Sequence, residues 1–65
     1  MQWNTIQAKW NQVKGNVREK LGELTDDDLE MAAGKRDKLI GKVQERYGYS
    51  QTKAAERVDE VAAAI

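Results

Sequence analysis

The run L-T-D-D-D-L-E-M-A-A-G-K-R-D-K-L-I-G-K-V-Q-E-R-Y-G-Y-S, from Leu24 to Ser50, decides the fold of this chain. It reads as a short capped helix, a glycine break, a basic helix and a glycine stop. Thr25 is an N-cap residue, and Asp28, three positions on, stands where a capping-box acid would. Asp26 and Asp27 put negative charge in the first turn, where the helix dipole favours it. Leu29, Ala32 and Ala33 supply a small apolar face, and Gly34 ends or bends the segment, which predicts a helix over 26–33. Leu39, Ile40, Val43 and Tyr47 form the next stripe, with Lys35, Arg36, Lys38, Lys42 and Arg46 over much of the remaining surface. The second helix is expected over 35–47, with Gly48 as its stop.

Outward from this block, the same rules apply. Trp3, Ile6, Trp10, Val13, Val17 and Leu21 recur at steps of three and four, one face of an amphipathic helix. Asn4 or Thr5 can cap its start and Gly22 stands at its end, which predicts one helix over 5–21. After Gly48, Ser50 caps a last helix over 51–64, carrying Ala54, Ala55, Val58, Val61, Ala62 and Ile65. No stretch alternates with the period of two expected of a strand.

An internal echo accompanies these elements. Val13-x-Gly15-x-Val17-x-Glu19-Lys20-Leu21-Gly22 aligns with Leu39-x-Gly41-x-Val43-x-Glu45-Arg46-Tyr47-Gly48, and a hydroxyl cap, Thr25 or Ser50, follows each glycine stop. The expectation is an all-α domain over 1–65: four helices arranged as two packed hairpins with approximate internal duplication. The interior glycines Gly15 and Gly41 each cost a helix about 1 kcal/mol relative to alanine. They are either tolerated surface glycines or marks of a close helix crossing, and their equivalent placement favours the crossing.

Sixty-five residues make one small domain, with an expected stability on the order of 3–5 kcal/mol. The chain has no cysteine and no histidine, so disulfides, thiolate metal sites and the commonest general base are absent. No nucleophile–base pair can be assembled, and an enzyme is not expected; nor is any cofactor. The longest nearly apolar run, Val61 to Ile65, is far too short for a membrane span. The first residues lack the basic start and apolar core of a signal peptide, so the expected location is cytoplasmic.

The formal net charge of zero hides a pattern: plus two over 1–24, minus four over 25–33, plus three over 34–48 and minus one over 49–65. Lys35, Lys38, Lys42 and Arg46 share one helix face. Lys35 and Arg36 sit at the helix start, where the dipole disfavours cations. That calls for pairing with Asp26–Asp28 or for an external anion. Capping accounts for the three aspartates better than a divalent cation does, because a calcium loop spaces its oxygens at alternate positions. The Gly48-Tyr49-Ser50 turn, followed by Lys53, resembles part of a helix-hairpin-helix phosphate-binding element but reads better as a structural turn. Trp3 and Trp10 read as core, with Trp3 partly exposed, and Tyr47 and Tyr49 close the second hairpin.

Lys14-Gly15, Gly22-x-Leu24-Thr25-Asp26-Asp27-Asp28, Gly34-Lys35-Arg36-Asp37 and Leu39-x-Gly41-Lys42-x-Gln44-Glu45-Arg46-Tyr47-Gly48-Tyr49 together resemble the CsbD-like family of small bacterial stress-associated proteins. The resemblance runs from about Trp10 to Tyr49. It implies a small all-helical fold and a link to general stress response, with no established reaction, cofactor or catalytic residue. The resulting expectation is a non-enzymatic interaction or accessory module that meets a macromolecular partner not identified by the sequence. Low-specificity nucleic-acid binding through Lys35, Lys38, Lys42, Arg46 and Lys53 is the alternative, opposed by the zero net charge. A protective protein without a fixed partner is a third reading. The expected state is a monomer or a weak homodimer, with Val58, Val61 and Ile65 as the candidate dimer strip.

Overall fold

Each capping signal in the decisive block is realised. A computed structural model describes residues 1–65 as α1 (Trp3–Ala8), α2 (Trp10–Lys20), α3 (Asp26–Ala32), α4 (Arg36–Tyr47) and α5 (Gln51–Ala63), with no strand. The Thr25 hydroxyl accepts from the Asp28 N–H, and the Asp28 carboxylate accepts from the Thr25 N–H, a complete capping box. Ser50 caps α5 by accepting from the Lys53 N–H at 3.2 Å. Gly48 ends α4 in the left-handed conformation, φ 70°.

The all-α class is as expected, but the helices number five rather than four. The predicted helix over 5–21 breaks at Lys9 (φ −109°, ψ 27°). The ladder ends with the Lys9 N–H on the Thr5 carbonyl and restarts with the Val13 N–H on the Lys9 carbonyl. Neither proline nor glycine lies at the break, so its origin is tertiary. The turn at Ala33 (φ 52°) and Gly34 (φ 80°) seats its backbone against α1 and the Trp10 ring. A Cβ on Gly34 would lie 2.7 Å from the Gln7 Cα and 3.2 Å from the Trp10 ring. The Trp10 indole also donates to the Leu29 carbonyl at 3.0 Å, a buried bond that ties α2 to α3.

One core holds the elements together. α4 packs along both α3 and α5, and α2 reaches α3 and α5 from the other side. Ile6, Val13, Val17, Leu21, Leu24, Leu29, Leu39, Val43, Ala54 and Val58 are buried in it, as is Trp10, while Trp3, Tyr47 and Tyr49 cover its margins. Tyr47 extends beyond its hairpin: its hydroxyl accepts from the Glu23 N–H, and its ring stacks on Tyr49 at 5.2 Å.

Three expectations are corrected here. The two glycine stops are not equivalent: α2 ends at Lys20 with Leu21 as its cap and Gly22 outside the left-handed region that Gly48 adopts. Gly15 and Gly41 mark no crossing within the chain, because a Cβ on either would meet nothing within 4 Å. The close approach belongs to Gly34. Finally, of the strip expected for dimerisation, Val58 and Val61 are inside the core and Ile65 packs half-buried against it, so no continuous apolar strip is left exposed there.

Candidate interaction surface

The centre of the charged surface is a buried carboxylate. Asp28 lies on the α4 side of α3 with its side chain 3% exposed. Position N3 of the capping box places it there, and α4 supplies its counter-ions. Arg46 donates to it through Nε at 2.7 Å and through Nη2 at 3.2 Å, and the Lys42 ammonium lies 3.7 Å away. The Arg46 hydrogen bond, followed by the Thr25 N–H, holds the Asp28 carboxyl far below the usual carboxylate range against the opposing effect of burial.

The cations at the start of α4 are resolved differently from expectation. Arg36 pairs not with Asp26–Asp28 but with Asp59 on α5, through Nε at 2.8 Å and Nη2 at 2.9 Å. That pairing lowers the Asp59 carboxyl, with the desolvation of burial opposing it. Asp26 is taken by Arg18, and Glu30 by Lys14. These pairs are exposed; Asp28 is the one buried charge, and every buried polar side-chain atom of the fold is satisfied.

The five predicted contact residues therefore separate. Lys42 and Arg46 converge on Asp28, and Lys53 lies over the Tyr49 ring at 5.2 Å. Lys35 and Lys38 are exposed and make no ion pair. The Gly48–Ser50 turn works as helix stop and helix cap, with the Ser50 hydroxyl occupied by its own helix. Helical spacing correctly places Lys35, Lys38, Lys42 and Arg46 along one side of α4. It could not show that α3 delivers a carboxylate to only two of them.

Beside this cluster, α3 and α4 border an open groove of about 350 Å³ lined by Met31, Lys38, Gly41, Lys42 and Glu45. Lys38, Gly41 and Glu45 fall on the α4 face opposite the buried Leu39, Ile40 and Val43. Met31, on the rim, is 61% exposed, the most exposed large apolar side chain of the fold. Met31 is out of step with the buried Leu29 and Ala32 of α3. That mismatch was the available signal that it faces outward. No helix is long and apolar enough to cross a membrane.

The CsbD-like family model matches residues 4–56. The UPF0337 protein YjbJ of Escherichia coli O6:H1 is 56% identical over 52 residues, covering 80% of this chain and 75% of that protein. The UPF0337 protein RPA4217 of Rhodopseudomonas palustris is 53% identical over 60 residues, covering 92% and 91%. NE2439 of Nitrosomonas europaea, also a UPF0337 protein, is 41% identical over 59 residues, covering 91% and 63%. No solved structure matches the chain. The family match covers the capped α3, the Ala33–Gly34 turn and all of α4, and the chain belongs to the CsbD-like family.

Proposed function

We propose that this chain is a non-enzymatic bacterial stress-response protein that works as an interaction module, presenting the outer side of α4 and the adjoining rim of α3. One observation carries this reading: Met31 stands exposed beside a groove in which one of the two lysines, Lys38, makes no ion pair in the chain. Unpaired charges occur elsewhere on the surface, but only here does one adjoin the most exposed large apolar side chain of the fold. The stress role is what the resemblance to the CsbD-like family implies.

A photo-crosslinking residue in place of Met31, compared in cells with one in place of the exposed α5 residue Glu56, tests the reading. Stress should produce defined adducts at position 31. The reversal Lys38→Glu in the same chain should suppress them, and Lys53→Glu should leave them intact. Adducts at 31 that match those at 56, or that ignore the charge of residue 38, would overturn the reading.

A further inference from the structure

We infer that the occupant of the α4 face is a second copy of this chain, docked across a two-fold axis between Gly41 and Lys42. This rests on reading the face as an interaction surface, and it identifies the partner.

The first ground is charge complementarity. Lys38 and Glu45 are seven residues apart on the outward side of α4, about 10 Å along the helix axis. They have opposite sign and flank Gly41. A two-fold centred between residues 41 and 42 runs the two α4 helices antiparallel. Each Lys38 then faces the partner's Glu45, and both pairs form at once. Lys38 has no competing carboxylate, and Glu45 is 63% exposed with only a loose 3.9 Å contact to Lys42. The chain's zero net charge adds no overall repulsion between copies.

The second ground is the glycine. Gly41 is interior to α4, exposed, and faces open space, so it costs helix stability with no return inside the fold. At an antiparallel crossing, a residue without a Cβ lets the helix axes approach to the lower end of the usual range of about 8–10 Å. The third ground is Met31, a flexible apolar side chain on the rim of the same groove, placed to cover the partner's Gly41 notch. The contact spans about two helical turns. That falls below the roughly 800 Å² per partner of a standard interface, so the dimer is weak, with Kd on the order of 0.1–1 mM, and is sensitive to salt.

The test uses the full chain. Sedimentation equilibrium and the Met31 methyl resonance are followed from about 0.05 to 2 mM at low and high salt. Dimerisation is expected at low salt, with a concentration-dependent Met31 shift. Lys38→Glu and Glu45→Lys should each weaken association about tenfold by creating like-charge pairs, and the double reversal should restore it to within about threefold. Gly41→Ala should raise the melting temperature yet abolish the dimer. A chain that stays monomeric at 2 mM in low salt, a double reversal without recovery, or undiminished dimerisation of Gly41→Ala each overturns the inference. Cellular adducts at position 31 from a chain that is monomeric in solution would overturn the dimer while leaving the interaction surface standing. Loss of both overturns the two together.

Discussion

Replacing Asp28 with alanine should remove roughly half or more of the chain's stability. In the folded chain, Oδ2 accepts from the Thr25 N–H at 3.0 Å and from Arg46 Nε at 2.7 Å, while Oδ1 accepts from Arg46 Nη2 at 3.2 Å. Truncation leaves the Thr25 N–H without its capping partner, about 0.5–1.5 kcal/mol. It also removes the charge-assisted contact of a carboxylate that is 3% exposed. Arg46 is 42% exposed and regains water when released, so that contact is worth about 1–2 kcal/mol rather than the value for a fully buried pair. Together these give a loss of about 1.5–3.5 kcal/mol against the roughly 3–5 kcal/mol expected for a domain of this size. At about 4–8 °C per kcal/mol, the melting temperature should fall by about 6–28 °C. Urea and thermal unfolding followed by circular dichroism at pH 7 measure both. Asp28→Asn, which keeps an acceptor for Thr25 but not the charge, should fall between wild type and alanine. A loss under about 0.5 kcal/mol for alanine would refute the assignment of α3 anchoring to this carboxylate.

Acid unfolding carries a sign. The Arg46 contact holds the folded-state Asp28 carboxyl well below the value of about 3.9 expected in the unfolded chain. The unfolded state therefore takes up its proton first as pH falls. The Asp28 contribution should be complete above about pH 5 and be withdrawn progressively below pH 4, so Asp28→Asn should show a shallower acid limb in a pH series of melts. Asp59, lowered by Arg36, keeps part of the slope in that variant. Gly34→Ala should cost about 2–4 kcal/mol, since its φ of 80° strains a β-carbon and the nearest obstacle is Gln7 backbone rather than a movable side chain; near-wild-type melting would contradict the packing of α1 on this turn. Ala33→Gly should instead stabilise the chain by about 0.5 kcal/mol, because Ala33 already adopts a left-handed φ of 52° and the relieved strain slightly exceeds glycine's added unfolded-state freedom; a lower melting point would show that its methyl group packs.

Local chemistry was legible wherever a few residues settled the matter. The Thr25–Asp28 box, the Ser50 cap and the Gly48 stop follow from side-chain oxygens and a missing Cβ within four residues of their targets. The core stripes were legible for the same reason, since Ile6, Trp10, Val13, Val17 and Leu21 keep helical spacing even across the break at Lys9. The break itself was not. The nearest tertiary contact is Gly34, twenty-five residues away in sequence and seated against Gln7, two residues before the break. The ionic partners were equally hidden, because Arg36–Asp59 and Arg46–Asp28 span separations of 23 and 18 residues.

Gly41 shows how a correct physical premise led to the wrong partner. An interior glycine weakens a helix, so a close approach is a reasonable demand, and the repeated Gly15 strengthened it. Within the fold, that demand is met only at Gly34, where a Cβ would meet Gln7 backbone. Gly15 and Gly41 look alike in sequence and alike in isolation, each exposed with open space beyond it. Their surroundings separate them. Lys14 and Arg18, the cations beside Gly15, are bound to Glu30 and Asp26, which leaves the unpaired Glu19 with no free cation on that side of α2. Around Gly41, Lys38 is unpaired, Glu45 is loosely held and Met31 is bare. A glycine whose neighbouring cations are all paired is a tolerated defect. A glycine between an unpaired lysine and a loosely held glutamate, beside an exposed methionine, belongs to a contact that one copy of the chain cannot complete.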